Sequence, residues 1–207
     1  MLVSPTQLAP TGHSTIGGTF ALTETEYDLG VSRDIERSMI GADGGFNVAP
    51  EVDLIGQVGL IFDSEVENSS ADDGSGFMLG GGARFGIHQS GKTRLFGYGM
   101  LNFTRETFDG PGELEYEITL LDLHAGGAVA FLVGPTIQPW VGLELVLHSD
   151  GDLESKVGDT TSEIDVERDD RLGLRGGVNF RLPSSTIRLD MTLVSETSFL
   201  FGMATTL

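Results

Sequence analysis

The stretch FNVAPEVDLIGQVGLIF, residues 46–62, decides the fold. Phe46, Val48, Pro50, Val52, Leu54, Gly56, Val58, Leu60 and Phe62 are apolar or small and fall on every second position. That is the two-residue period of a strand with one greasy face. As a single strand, its 17 residues would span roughly 56 Å, far beyond ordinary strand length. Pro50 also removes an N–H from the middle of the ladder. The stretch therefore reads as two strands folded at APEV (49–52).

Working outward, the same alternation recurs along the chain. STIGGTFALTETE carries Ile16, Phe20 and Leu22; GFMLGGGARFGI carries Phe77, Leu79, Ala83, Phe85 and Ile87. TLLDLHAGGAVAF, IQPWVGLELVLH, RLGLRGGVNFRL, TIRLDMTL and SFLFGMATTL follow in the same way. In RLFGYGMLNF two phases compete, Phe96/Tyr98/Met100 against Leu95/Leu101/Phe103. The one helical candidate, SRDIERSM (32–39), is short enough to be loop instead.

With a turn at APEV, the connections alternate without exception from residue 25 onward. Short ones (49–52, 88–92, 133–136, 182–185) take turns with long acidic ones (63–76, 107–115, 148–170). An even number of strands, with short turns at one rim and long polar loops at the other, is the layout of a transmembrane barrel. The expected fold is an all-β, single up-and-down antiparallel barrel spanning residues 13–207, with ten strands favoured and eight the alternative. Residues 1–12 are expected to form an N-terminal periplasmic tail; they have neither the basic start nor the apolar centre of an intact signal peptide.

Composition narrows the function. The chain has 31 acidic and 12 basic residues in 207, a net charge of −19, which argues against nucleic acid as a partner. It has no cysteine, so neither a disulfide framework nor a thiolate metal site exists. No apolar run approaches the length of a membrane helix. No cofactor is expected.

The minor phase of the strands separates lumen from solvent. It holds Gly80, Gly82, Arg84 and Gly86, then Asp122, His124 and Gly126, then Glu144, then Arg175 and Gly177, then Arg188 and Asp190. Large charged groups beside glycine suit a narrow interior, and arginine suits buried bidentate pairing. The expected lumen ionic network is Arg84, Asp122, His124, Glu144, Arg175, Arg188 and Asp190, filling the bore rather than moving a solute.

This pattern resembles the small bacterial outer-membrane β-barrel proteins, the OmpA/OmpX-like and related single-domain families. The likeness is carried by GGFNVAPEVDLIGQVGL, an aromatic followed by a Pro-containing turn and alternating Leu, Gly and Val. The chain departs from those families in its thin aromatic girdle (one Trp, three Tyr) and in Leu207 where they usually end in Phe or Trp. The resemblance implies a bacterial outer-membrane location with periplasmic termini, contact with outer-membrane lipid and lipopolysaccharide, and a monomer. The function it implies is a structural or surface barrel or a narrow channel; a surface-binding protein acting through the long acidic loops, above all 148–170, and an outer-membrane hydrolase are the alternatives, with a soluble ligand-binding barrel as the non-membrane one.

Enzymes exist among such barrels, proteases and lipid hydrolases, and His148–Ser149–Asp150 is the candidate site for one. Adjacent strand residues face opposite ways, which is poor geometry for a base on its nucleophile. No catalytic and no metal residue is assigned, and SDGDLESKVGD lacks the glycine and distal glutamate spacing of a calcium loop.

Overall fold

The computed structural model describes residues 6, 9, 12–67, 69, 74–112, 114–158, 160–194 and 196–207. Its strands are β1 (Ser14–Asp28), β2 (Ser32–Ala49), β3 (Val52–Val66), β4 (Gly74–Ser90), β5 (Thr93–Asp109) and β6 (Leu114–Phe131). They continue with β7 (Ile137–Val157), β8 (Thr160–Asp165), β9 (Glu167–Arg168), β10 (Leu172–Arg181), β11 (Ser185–Val194) and β12 (Thr197–Thr206). Each of β1 to β7 pairs with the next, β7 pairs with β10, and β10, β11 and β12 lead back to β1, all antiparallel. The result is a closed ring of ten strands. Closure leaves no sheet edge, which is how a sheet satisfies its backbone in hydrocarbon.

The opening stretch is a hairpin. Ala49 faces Val52 across Pro50 and Glu51. Proline needs no ladder N–H at this point, and its ring fixes the first turn residue. Glu51 takes a φ of 63°, in the region L-residues seldom occupy, and its carboxylate holds Arg94. Asn47 secures the turn from inside, its amide donating to the carbonyls of Ala49 (2.9 Å) and Val52 (3.2 Å).

The two faces of the wall are inverted relative to a soluble protein. Leu143 and Leu174 are 56% and 42% exposed, whereas Glu144 and Arg175, their chain neighbours, are 6% and 3% exposed. Apolar side chains point outward over residues 40–48 of β2, 54–62 of β3, 121–131 of β6 and 137–147 of β7. These bands of about ten residues match what a tilted strand needs to cross a bilayer. In β5 the outward phase is Leu95/Leu101/Phe103, and Phe96, Tyr98 and Met100 are buried in the lumen.

Two sequence expectations need correction. The segment 32–39 is not helix or loop but the first half of β2, paired to β1 throughout. The long acidic connections are mostly strand: β7 runs on to Val157, β6 begins at Leu114, and β1 and β2 are separated by three residues, 29–31. The outward faces of these extensions are acidic instead of apolar, as in Glu24, Glu36 and Glu65, which stand in register on β1, β2 and β3. Beyond the apolar band a strand faces water, so its outer phase no longer carries a hydrophobic signal.

Wall height is uneven. Strands β1–β7 have 15 to 21 residues, while β10, β11 and β12 have ten each. Above the short strands, β8 folds back on the upper part of β7, and β9 crosses to β1. Val166 donates its N–H to the Gly151 carbonyl of β7 (2.8 Å), and Arg168 then stands opposite Tyr27 of β1. A two-residue strand thus closes the upper ring where three strands close the lower one.

Candidate functional site: the lumen and its long-hairpin end

The lumen is filled with paired charge. Five inward arginines each contact a carboxylate: Arg37 with Glu106 (2.8 Å), Arg84 with Asp53 (3.0 Å), Arg168 with Glu196 (2.8 Å), Arg175 with Glu144 (3.0 Å) and Arg188 with Asp43 (2.5 Å). Pairing at this depth is required, because an ion left alone there would cost several kcal/mol. Asp53 and Glu144 are the most connected of these acids. Asp53 also accepts from Asn47 (3.1 Å). Glu144 has two further partners, accepting a bond from the Tyr98 hydroxyl (2.7 Å) and lying 3.3 Å from His124 Nδ1. Ser64 donates to Glu106 (2.6 Å), and Arg188 donates to Thr19 (2.7 Å).

Glycine makes the room. A Cβ at Gly202 would come within 2.8 Å of the Arg188 guanidinium, and one at Gly45 within 2.8 Å of that of Arg84. Both neighbours are held ion pairs, so neither can give way without loss.

All seven residues expected in the ionic network face inward and are at most 7% exposed. They do not form one network. Glu144, Arg175 and His124 come together; Arg84 and Arg188 instead find partners outside the set, Asp53 and Asp43. Asp190 accepts from the Trp140 indole (3.2 Å), and Asp122 reaches Arg168 only at 3.9 Å. Arg37, Glu106, Arg168, Glu196, Asp43, Asp53 and Tyr98 were not anticipated. Asp43 and Asp53 could have been found as lone acids in the minor phase of strands whose major phase is apolar.

Above the charged layers the inner face turns apolar. Tyr27, Ile35, Phe108, Ile118, Leu120 and Val166 form a buried cluster at the long-hairpin end, none more than 3% exposed. Between this cap and Glu144 lies a chamber of about 40 Å³ with a mixed lining, Arg37, Asp122, His124, Arg168 and Glu196 on the charged side and Met39, Ile61 and Met78 on the apolar side. Such a volume holds a few waters at most.

At the other end, the described parts of segment 1–12 bond to lumen side chains. Ala9 N–H donates to Asp53 (2.8 Å), Gly12 N–H to Asn47 (3.3 Å), and Asn179 donates to the Thr6 hydroxyl (2.9 Å).

On β7 His148 points outward and Ser149 inward, so they cannot act on one another through that strand. Among the described residues no group of three His, Asp or Glu is placed to hold a metal ion. Outside the membrane band, β6, β7 and β8 bring Glu117, Glu154 and Glu163 into one cross-strand row, with Asp152 opposite Asp165. The charge of Asp152 raises the Glu163 pKa above its ordinary value.

No protein-family model matches the chain, and no curated protein sequence matches it. Solved structures do. The translocator domain of the autotransporter NalP from Neisseria meningitidis is similar over 95% of this chain and 88% of its own, at 10% identity and a TM-score of 0.55. The outer-membrane protease OmpT from Escherichia coli covers 98% of both chains at 9% identity and a TM-score of 0.54. The outer membrane protein OprG from Pseudomonas aeruginosa covers 96% of this chain and 97% of its own, at 9% identity and a TM-score of 0.53. At this identity the likeness is one of fold: the chain has the fold of the outer-membrane β-barrel proteins.

Proposed function

We propose that the protein is a non-enzymatic barrel of the bacterial outer membrane, structural or surface-presenting, with its termini towards the periplasm and its long hairpins outside. The observation that carries this reading is the filled lumen: five arginine–carboxylate pairs occupy the bore, and an apolar cluster caps one end. A solute would have to break buried ion pairs to pass, each costing several kcal/mol. The outward apolar band supports lipid as its surroundings; on this reading lipopolysaccharide lies at the outer margin and the chain acts as a monomer.

Planar-bilayer recording of the refolded protein tests the reading. The expected result is a flat trace; stable, repeated openings would replace it with the narrow-channel reading.

A second reading rests on the acidic row at the β6–β7–β8 edge. Glu117 and Glu154 of that row are met by Arg105 and Lys156. Asp152, Glu163 and Asp165 stand together as like charges that oppose pairing, which favours a surface for a cationic partner, reached through segment 148–170. Deleting 152–165 and measuring capture of a basic partner would separate the two readings.

A further inference from the structure

The upper closure is weakly built. Strand β9 pairs with β1 over two residues, and one of those pairs sets Glu167 against Asp28, like charges in direct register. Asp169, next along, donates its N–H to the Glu26 carbonyl at 3.4 Å. Apart from Val166, which is anchored in the cap, the charge that offsets so acidic a segment on so acidic a strand is that of Arg168, seated there.

Its seat has the chemistry of a guanidinium receptor. Glu196 accepts from Nη2 at 2.8 Å, Thr25 Oγ1 lies 3.4 Å from the same nitrogen, and Asp122 is 3.9 Å from Nη1. The Arg168 Cζ stands 5.8 Å from the centroid of the Tyr27 ring, within cation–π range. Carboxylates and an aromatic face are what a planar, delocalised cation favours. The fit is incomplete, however: the buried Nε of Arg168 and Oδ1 of Asp122 have no hydrogen-bond partner. The 40 Å³ chamber adjoins both residues.

We propose that this pit is a binding site for a guanidinium group, occupied in cis by Arg168, and that a small guanidinium-bearing ligand from the outer medium competes for it when segment 166–170 lifts. The proposal stands apart from the sealed-barrel reading, since only the Arg168–Glu196 pair is exchanged when segment 166–170 lifts and the other four ion pairs stay intact. The tethered Arg168 acts as a competitor of high effective concentration, so the intact protein binds such a ligand weakly.

The test is the full chain, refolded in detergent, carrying Arg168→Ala. Ethylguanidinium at millimolar concentration should raise its melting temperature, while uncharged ethylurea and ionic-strength-matched NaCl should not. Its affinity for ethylguanidinium should be at least about tenfold tighter than that of the unaltered protein. A folded Arg168→Ala barrel that fails to respond, or responds no better than the unaltered protein, overturns the proposal.

A second variant covers the case in which Arg168→Ala does not fold. The chain has no cysteine, so Asp28→Cys with Glu167→Cys gives one disulfide across facing residues, at a spacing such a bond accepts. Oxidised, this variant should lose the weak binding of the reduced form; equal binding in the two forms overturns the proposal.

Discussion

The middle of the lumen and its long-hairpin cap are built from the same strands and the same inward phase, yet by opposite chemistry. On β6 the inward series runs Ile118, Leu120, Asp122, His124: two apolar residues, then two polar ones. The middle is dominated by directional contacts, each arginine answered by a carboxylate at hydrogen-bond distance, with only small apolar clusters such as Ala21, Met39, Ile61, Met78 and Leu200 between them. The cap is a non-directional cluster around Phe108 and Ile118. The contrast follows from what lies outside the wall. Lipid supplies no driving force to bury apolar groups, so the membrane-embedded middle relies chiefly on polar pairing, with its apolar clusters filling the space between the pairs. The cap stands where the outer face meets water, and burying apolar groups there is favourable.

That contrast can be broken at either end. The largest expected effect is Glu144→Ala, which leaves Arg175 buried without a counter-charge and strips Tyr98 and His124 of their partner; about 3–5 kcal/mol should be lost from the denaturant-unfolding free energy. Phe108→Ala opens a void in the cap and should cost about 3 kcal/mol by the same measurement. The conservative changes sharpen the difference. Phe108→Leu should recover most of the loss, because the cap asks only for apolar volume, whereas Glu144→Gln should recover little. Gly202→Val pushes a side chain into the Arg188 guanidinium and should cost about 1–3 kcal/mol, seen as a lower unfolding midpoint.

Smaller still is the effect of pH on the β7–β8 hairpin. The Glu163 pKa is raised in the folded hairpin by Asp152. Its contribution is therefore most favourable below its unfolded value and is lost as the pH rises through the folded one. Amide-exchange protection of residues 160–165, corrected for intrinsic rates, should grow on acidification. Asp152→Asn should flatten that dependence. No change of protection with pH would show that the facing carboxylates do not interact. The smallest effect is expected from Arg105→Ala, which removes a half-exposed pair with Glu117 and should leave the unfolding midpoint unmoved.

How much of this was legible in the sequence follows from where each residue lies. In the membrane band both phases speak: Leu143 against Glu144, Leu174 against Arg175. Ring closure and strand number came from that alternation together with Pro50. Partners were not legible. Arg188 of β11 meets Asp43 of β2 across 145 residues, a contact set by the closed ring, and Arg84 meets Asp53 across 31 because the β3–β4 register places them directly opposite; neither follows from spacing along one strand. Outside the band, TSEID and DLESK read as loop because water on one side removes the apolar phase, although Leu153 still alternates with Asp152 and Glu154. In β5, Phe96, Tyr98 and Met100 competed with the outward series because the lumen also accepts aromatic groups where a phenol can reach a carboxylate.

The seam between the first and last strands has a kinetic consequence. Nine of the ring's junctions join strands that follow one another, or nearly so, in the chain, whereas β1 meets β12 only when Thr15 reaches Thr206. That junction closes a loop of nearly the whole polypeptide, the slowest kind of contact to form. Assembly should therefore pass through a curved, unclosed sheet whose two free edges are β1 and β12, and the time that sheet stays open sets its exposure to pairing with a second chain.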